Sequence, residues 1–104
     1  MKQDKEKAKQ IVHELYNDLQ TNSALGIADV SEVLLRVYSK TDRLKDLAPT
    51  YNRLVTYIYF TGKVNRFVLT RRQETLVAKL ATIGNSAGVR GAAYGSDYGD
   101  KSQF

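Results

Sequence analysis

The chain has 104 residues, no cysteine and a net charge of +5 at neutral pH. This length suits one domain around a single core, and the missing thiols exclude a disulfide framework, thiolate metal sites and a cysteine nucleophile. No run approaches the roughly 18 apolar residues of a membrane span, and the amphipathic IVHELYNDLQ after MKQDKEKAKQ is not the apolar block of a signal peptide, so a cytoplasmic location is expected.

The first helix is predicted over about 5–19, where Ala8, Ile11, Val12, Leu15, Tyr16 and Leu19 recur at one-face helical spacing. His13 lies within it. With no cysteine and no carboxylate pair at ligand spacing beside it, His13 reads as a helix-face residue, so no metal site is expected. Glu14 and Asp18 stand one turn apart, but Tyr16, Asn17 and the adjacent lysines make them a solvated polar face rather than a catalytic pair.

TNSALGIA breaks the period and reads as a connection. Asp29, with Glu32 three residues on, is a variant capping box that opens a second helix over 29–46, carrying Val30, Val33, Leu34, Val37, Tyr38 and Leu44. Pro49 suits the first turn of a third helix, 49–61, whose inner face is Tyr51, Leu54, Val55 and Ile58 and which stops at Thr61 and Gly62. Within it, TYIYF points successive side chains about 100° apart, so they cannot all face one core. Either the rings pack on neighbouring helices around Ile58, or one or two of them form an exposed interaction patch.

GKVNRFVL links to a fourth helix over 70–87, where Thr70 and Gln73 form a second capping box ahead of Leu76, Val77, Leu80, Ile83 and Ala87. Gly88 is the expected left-handed stop, with Val89 packing back on Ile83. Gly84, inside that helix, carries a penalty of about 1 kcal/mol relative to alanine. Arg66, Arg71 and Arg72 cluster before and at its start, where positive charge opposes the helix dipole by a few tenths of a kcal/mol. That leaves them open to a solvated or a functional reading. Four amphipathic segments with short later connections predict an all-α, antiparallel four-helix bundle; three helices with a loosely attached first one is the alternative.

Residues 50–90 hold seven bases, Arg53, Lys63, Arg66, Arg71, Arg72, Lys79 and Arg90, against one acid, Glu74. Such a surplus favours an acidic partner, an anionic lipid surface or nucleic acid without choosing among them. No phosphate-cradling loop, dinucleotide fingerprint or Ser-His-Asp set is present, so the chain reads as a non-enzyme without a cofactor.

The tail, 88–104, is rich in glycine and tyrosine. Ordering about twenty residues costs roughly 20 to 40 kcal/mol of backbone entropy, whereas burying Tyr94 and Tyr98 returns at most about 4 to 6 kcal/mol apiece. Only a short part is therefore expected to dock, through Tyr94 or Tyr98 near the third and fourth helices, with the last few residues loose. Asp97 and Asp100 oppose a grip on phosphate, and no helix-turn-helix spacing is evident, which weighs against the rival reading of a small basic nucleic-acid-binding protein. A dimer built on the aromatics of the third helix is a further alternative, with a monomer expected.

KQIVHELYND, NRLVTYIYFT and DYGDKSQF resemble the pediocin-like (class IIa) bacteriocin immunity family, over most of the chain and most specifically at its two ends. The resemblance implies one immunity domain, a cytosolic four-helix bundle with a partly structured C-terminal segment. It implies no catalysis and no cofactor. Such proteins shield the producing cell by acting from inside on the mannose permease of the phosphotransferase system once bacteriocin has engaged it, and their C-terminal half governs which bacteriocin is resisted. The partner-binding residues expected here are Arg53, Tyr57, Tyr59, Lys63, Arg66, Arg71, Arg72, Lys79, Arg90, Tyr94 and Tyr98. A fraction of the protein at the inner face of the membrane, in passing contact with its anionic leaflet, accords with that action.

Overall fold

A computed structural model describes residues 2–22, 24–84 and 104. Among them run four helices, α1 (Lys2–Leu19), α2 (Ile27–Lys40), α3 (Leu47–Asn65) and α4 (Arg71–Gly84), with a 3₁₀ turn over Thr41–Arg43 between α2 and α3. α1 packs on α2 and α4, and α3 packs on the same two, which closes the antiparallel four-helix bundle expected from the pattern. Its core takes Ala8, Val12, Leu15 and Leu19 from α1, then Val30, Val33, Leu34 and Val37 from α2. α3 adds Tyr51, Leu54, Tyr57 and Ile58, and α4 adds Leu76, Val77 and Leu80. α1 is thus a full member of the bundle rather than a loosely attached helix.

Several ends differ from expectation. α1 begins at Lys2 rather than near Lys5. α2 begins at Ile27, two residues before the expected cap: Gly26 precedes it at φ 90°, a left-handed backbone that glycine adopts without a Cβ penalty, and its carbonyl accepts from Val30 at 3.0 Å. Asp29 therefore sits in the first turn, where its charge complements the helix dipole. α2 stops at Lys40 instead of residue 46. Thr41 turns its hydroxyl back onto the Val37 carbonyl at 2.7 Å, and the chain tightens into the 3₁₀ turn and runs extended at Leu44.

α3 starts two residues early, capped by Asp46, whose carboxylate accepts from the Ala48 amide at 3.1 Å. Pro49 then occupies the third helical position, where its missing N–H is still one of the orphans of a helix start. The helix also runs past Gly62 to Asn65. Arg66 takes the left-handed conformation at φ 57°, and the amides of Arg66 and Phe67 both converge on the Gly62 carbonyl.

α4 opens with the predicted capping box: the Thr70 amide donates to Gln73 Oε1 at 2.9 Å and the Gln73 amide donates to Thr70 Oγ1 at 3.1 Å. Gly84 is buried against α3, and a Cβ built on it would lie 2.7 Å from the Asn52 backbone nitrogen. Its helix-propensity penalty is the counterpart of a close helix crossing. The expected last turn to Ala87, the Gly88 stop and the Val89 contact lie outside the described residues, as do Arg90, Tyr94 and Tyr98.

A candidate partner-binding surface at the α3–α4 end

α3 buries Tyr51, Leu54, Tyr57, Ile58 and Thr61 on one side. On the other, Tyr59, Phe60, Lys63 and Val64 fall within about 140° of arc. Tyr59 is 52% exposed, Phe60 43% and Val64 61%. The connection adds Val68, 83% exposed, while its neighbour Phe67 is half-buried with its ring over Gly62. Four large apolar side chains are thus presented to solvent at one end of a well-filled bundle, a distribution typical of interaction surfaces.

Bases surround them. Lys63, Arg66, Arg71 and Arg72 are all exposed at this end, one on the last turn of α3, one closing that helix and two opening α4. Arg72 Nε lies 3.5 Å from Asp18 Oδ1 of α1, so it also spans two helices. Arg66 occupies a left-handed backbone position that glycine or asparagine would fill at lower cost, roughly 1 kcal/mol less. Arg71 and Arg72 stand against the helix dipole, and the Thr70–Gln73 box supplies the capping that offsets them. Local folding preference therefore does not account for arginine at these three positions.

The other expected residues separate. Lys79 is exposed on α4 two turns beyond Arg72 and on nearly the same face. Arg53 is exposed near the start of α3, at the opposite end, where it and Arg43 join burial in holding the Lys40 ammonium below its ordinary pKa, burial being the larger cause. Tyr57 is only 2% exposed, so it belongs to the core and not to a contact surface. Phe60, Val64 and Val68 are the members that the sequence reading missed. The 100° steps of TYIYF indicated that some ring must face out, without saying which.

On α1, His13 is exposed beside Tyr38, its ring centroid 6.0 Å away, and Glu14 accepts from Gln10 at 3.3 Å. Among the described residues no group of three or more His, Cys, Asp or Glu side chains gathers at metal-binding distance, and no helix is long and apolar enough to cross a membrane.

The model of the Bacteriocin immunity protein family matches residues 6–85, a span that takes in α1 from Glu6 onward, the other three helices and the surface just described. The chain belongs to that family. Among curated relatives of this immunity-family member is the probable mesentericin-Y105 immunity protein of Leuconostoc mesenteroides, 37% identical over 100 residues, which are 95% of this chain and 88% of that one. The probable leucocin-A immunity protein of Leuconostoc gelidum is 39% identical over 79 residues, 76% of this chain and 69% of that one. Among solved structures, the bundle resembles the crystal structure of EntA-im, described as conferring immunity to the pediocin-like bacteriocin enterocin A. The TM-score is 0.68 at 46% identity, over 74% of this chain and 99% of that one. The names across the family are those of protective proteins rather than catalysts.

Proposed function

We propose that this immunity-family protein protects the cell that makes it from a pediocin-like bacteriocin by binding the bacteriocin-engaged mannose permease of the phosphotransferase system from the cytoplasmic side and blocking the pore. The observation that carries this reading is the exposed apolar group Tyr59, Phe60, Val64 and Val68, bordered by Lys63, Arg66, Arg71 and Arg72, at one end of the bundle. Exposed rings and aliphatic groups supply the desolvated centre that a protein contact needs, and surrounding arginines and lysines steer it to acidic loops or, in passing, to an anionic inner leaflet. A fraction of the protein then resides at the inner face of the membrane. The names of the relatives support the protective role.

The test is expression in a sensitive strain challenged with a panel of pediocin-like bacteriocins. The unsubstituted chain is expected to protect against at least one. Phe60→Ser combined with Val68→Asp should reduce that protection while helix content and thermal midpoint stay close to the parent's, because both side chains are already exposed. Protection against none by the unsubstituted chain would refute the reading.

A further inference from the structure

α4 ends at Gly84, and Phe104, one of the last residues expected to be loose, lies on the α2 side of α3. Its half-buried ring packs against the core and meets the Tyr57 ring edge-on, with centroids 5.6 Å apart at 71°. Lys40, the last residue of α2, places Nζ 3.1 Å from the main-chain oxygen of Phe104 and 5.9 Å from its ring centroid. Leu35, Ser39 and Arg43 line the hollow beside it. One residue is thus held by three different interactions: an edge-on aromatic contact, a cation over its ring and a charge-assisted hydrogen bond.

We propose that the corner between α2 and α3 is a built seat for the aromatic side chain of Phe104, with Tyr57 and Lys40 as its walls, and that these three are positioning residues for the C-terminal part of the chain. The buried Tyr57 ring thereby has an aromatic partner within the chain. Its face is not offered to a partner because the chain's own Phe104 takes the contact. Burial first, and Arg53 and Arg43 after it, hold the Lys40 ammonium below its ordinary pKa, and the main-chain oxygen of Phe104 gives that ammonium an acceptor. The effect of the seat on protection rests on the function proposed above; the seat itself does not.

Two measurements on the full chain decide the matter. Ring-to-ring nuclear Overhauser contacts between Phe104 and Tyr57 are expected in the unsubstituted protein, and their absence overturns the seat. The sequence contains no tryptophan, so Phe104→Trp introduces a sole indole. Its emission should be blue-shifted and its acrylamide quenching several-fold weaker than in a peptide of residues 95–104 bearing the same substitution, and adding Tyr57→Leu should return both toward the peptide values. Peptide-like emission in a chain of full helix content counts against the seat. Phe104→Ala should then weaken bacteriocin protection with helix content unchanged, and Phe104→Tyr should restore it. Unchanged protection in Phe104→Ala would leave the seat standing but remove its positioning role, and failure of the unsubstituted chain to protect would remove the proposed function alone.

Discussion

Thr41 has one hydroxyl proton, and it is donated to the Val37 carbonyl at 2.7 Å. The Tyr51 hydroxyl, 2.7 Å away, must therefore be the donor in the second bond, which ties α3 to the end of α2 inside the core. An asymmetry follows. Thr41→Val leaves the buried Tyr51 hydroxyl without its partner and should cost about 1 to 3 kcal/mol, whereas Tyr51→Phe removes donor and demand together and should cost about 0.5 to 1.5 kcal/mol. Urea unfolding of both variants checks the order, and a larger loss in Tyr51→Phe would contradict it. Burial holds the Tyr51 hydroxyl above its ordinary value of 10.0. A group whose pKa is raised by folding contributes stability that is intact below the unfolded value and lost as pH climbs beyond it. Tyr51→Phe should accordingly lose less stability than the parent between neutral pH and pH values above about 10.

Among the elements, the crossing of α3 and α4 depends on an absent side chain. Gly84→Ala improves helix propensity by up to about 1 kcal/mol, yet its new Cβ meets the Asn52 backbone 2.7 Å away, where nothing flexible can give. The expected balance is a loss of about 1 to 3 kcal/mol from forced separation of the two helices, to be read from the midpoint of thermal or denaturant unfolding. A gain in stability would mean that the crossing tolerates a methyl group. This contact shows why some element features were readable in the sequence and others were not. The Thr70–Gln73 box was legible because both of its partners lie within one helical turn. The stop of α2 at Lys40 was not, since Thr41 is held partly by Tyr51, a bond that exists only once α3 has packed. Likewise Gly62 looked like a terminus by composition, but the convergence of the Arg66 and Phe67 amides on its carbonyl lets α3 continue three residues further.

At the scale of the molecule, among the described residues, the bases keep different company at the two ends of the bundle. At the start of α1 and the 3₁₀ turn, bases lie among acids: Lys9 Nζ is 2.9 Å from Asp42 Oδ2, and Asp4 and Asp46 stand near Lys5, Lys7 and Lys45. At the α3–α4 end, Lys63, Arg66 and Arg71 gather near Asp18, Asp29 and Glu74, and Asp18 is already engaged by Arg72. The surplus of bases was plain in the sequence; their division between two ends, and the choice of Phe60, Val64 and Val68 as the exposed apolar members, needed the packed helices. Such an arrangement should act mainly on the rate of encounter, because exposed charges interact over a screening length of about 8 to 10 Å at physiological salt. On the function proposed above, Lys63→Gln with Arg66→Gln is expected to slow association with bacteriocin-loaded permease membranes several-fold and to flatten its salt dependence, with little change in dissociation. An unaltered salt dependence would show that these bases do not steer the encounter.

The turn from Arg66 to Thr70 is fixed at both margins by backbone hydrogen bonds and by the Thr70–Gln73 pair, none of which involves the side chains of Arg66 or Val68. Those two side chains can therefore be exchanged while the frame that holds them stays the same. The connection behaves as an interchangeable tip on a constant handle, so, on the function proposed above, a change in which toxin is resisted would need one or two substitutions there and no compensating change in the core.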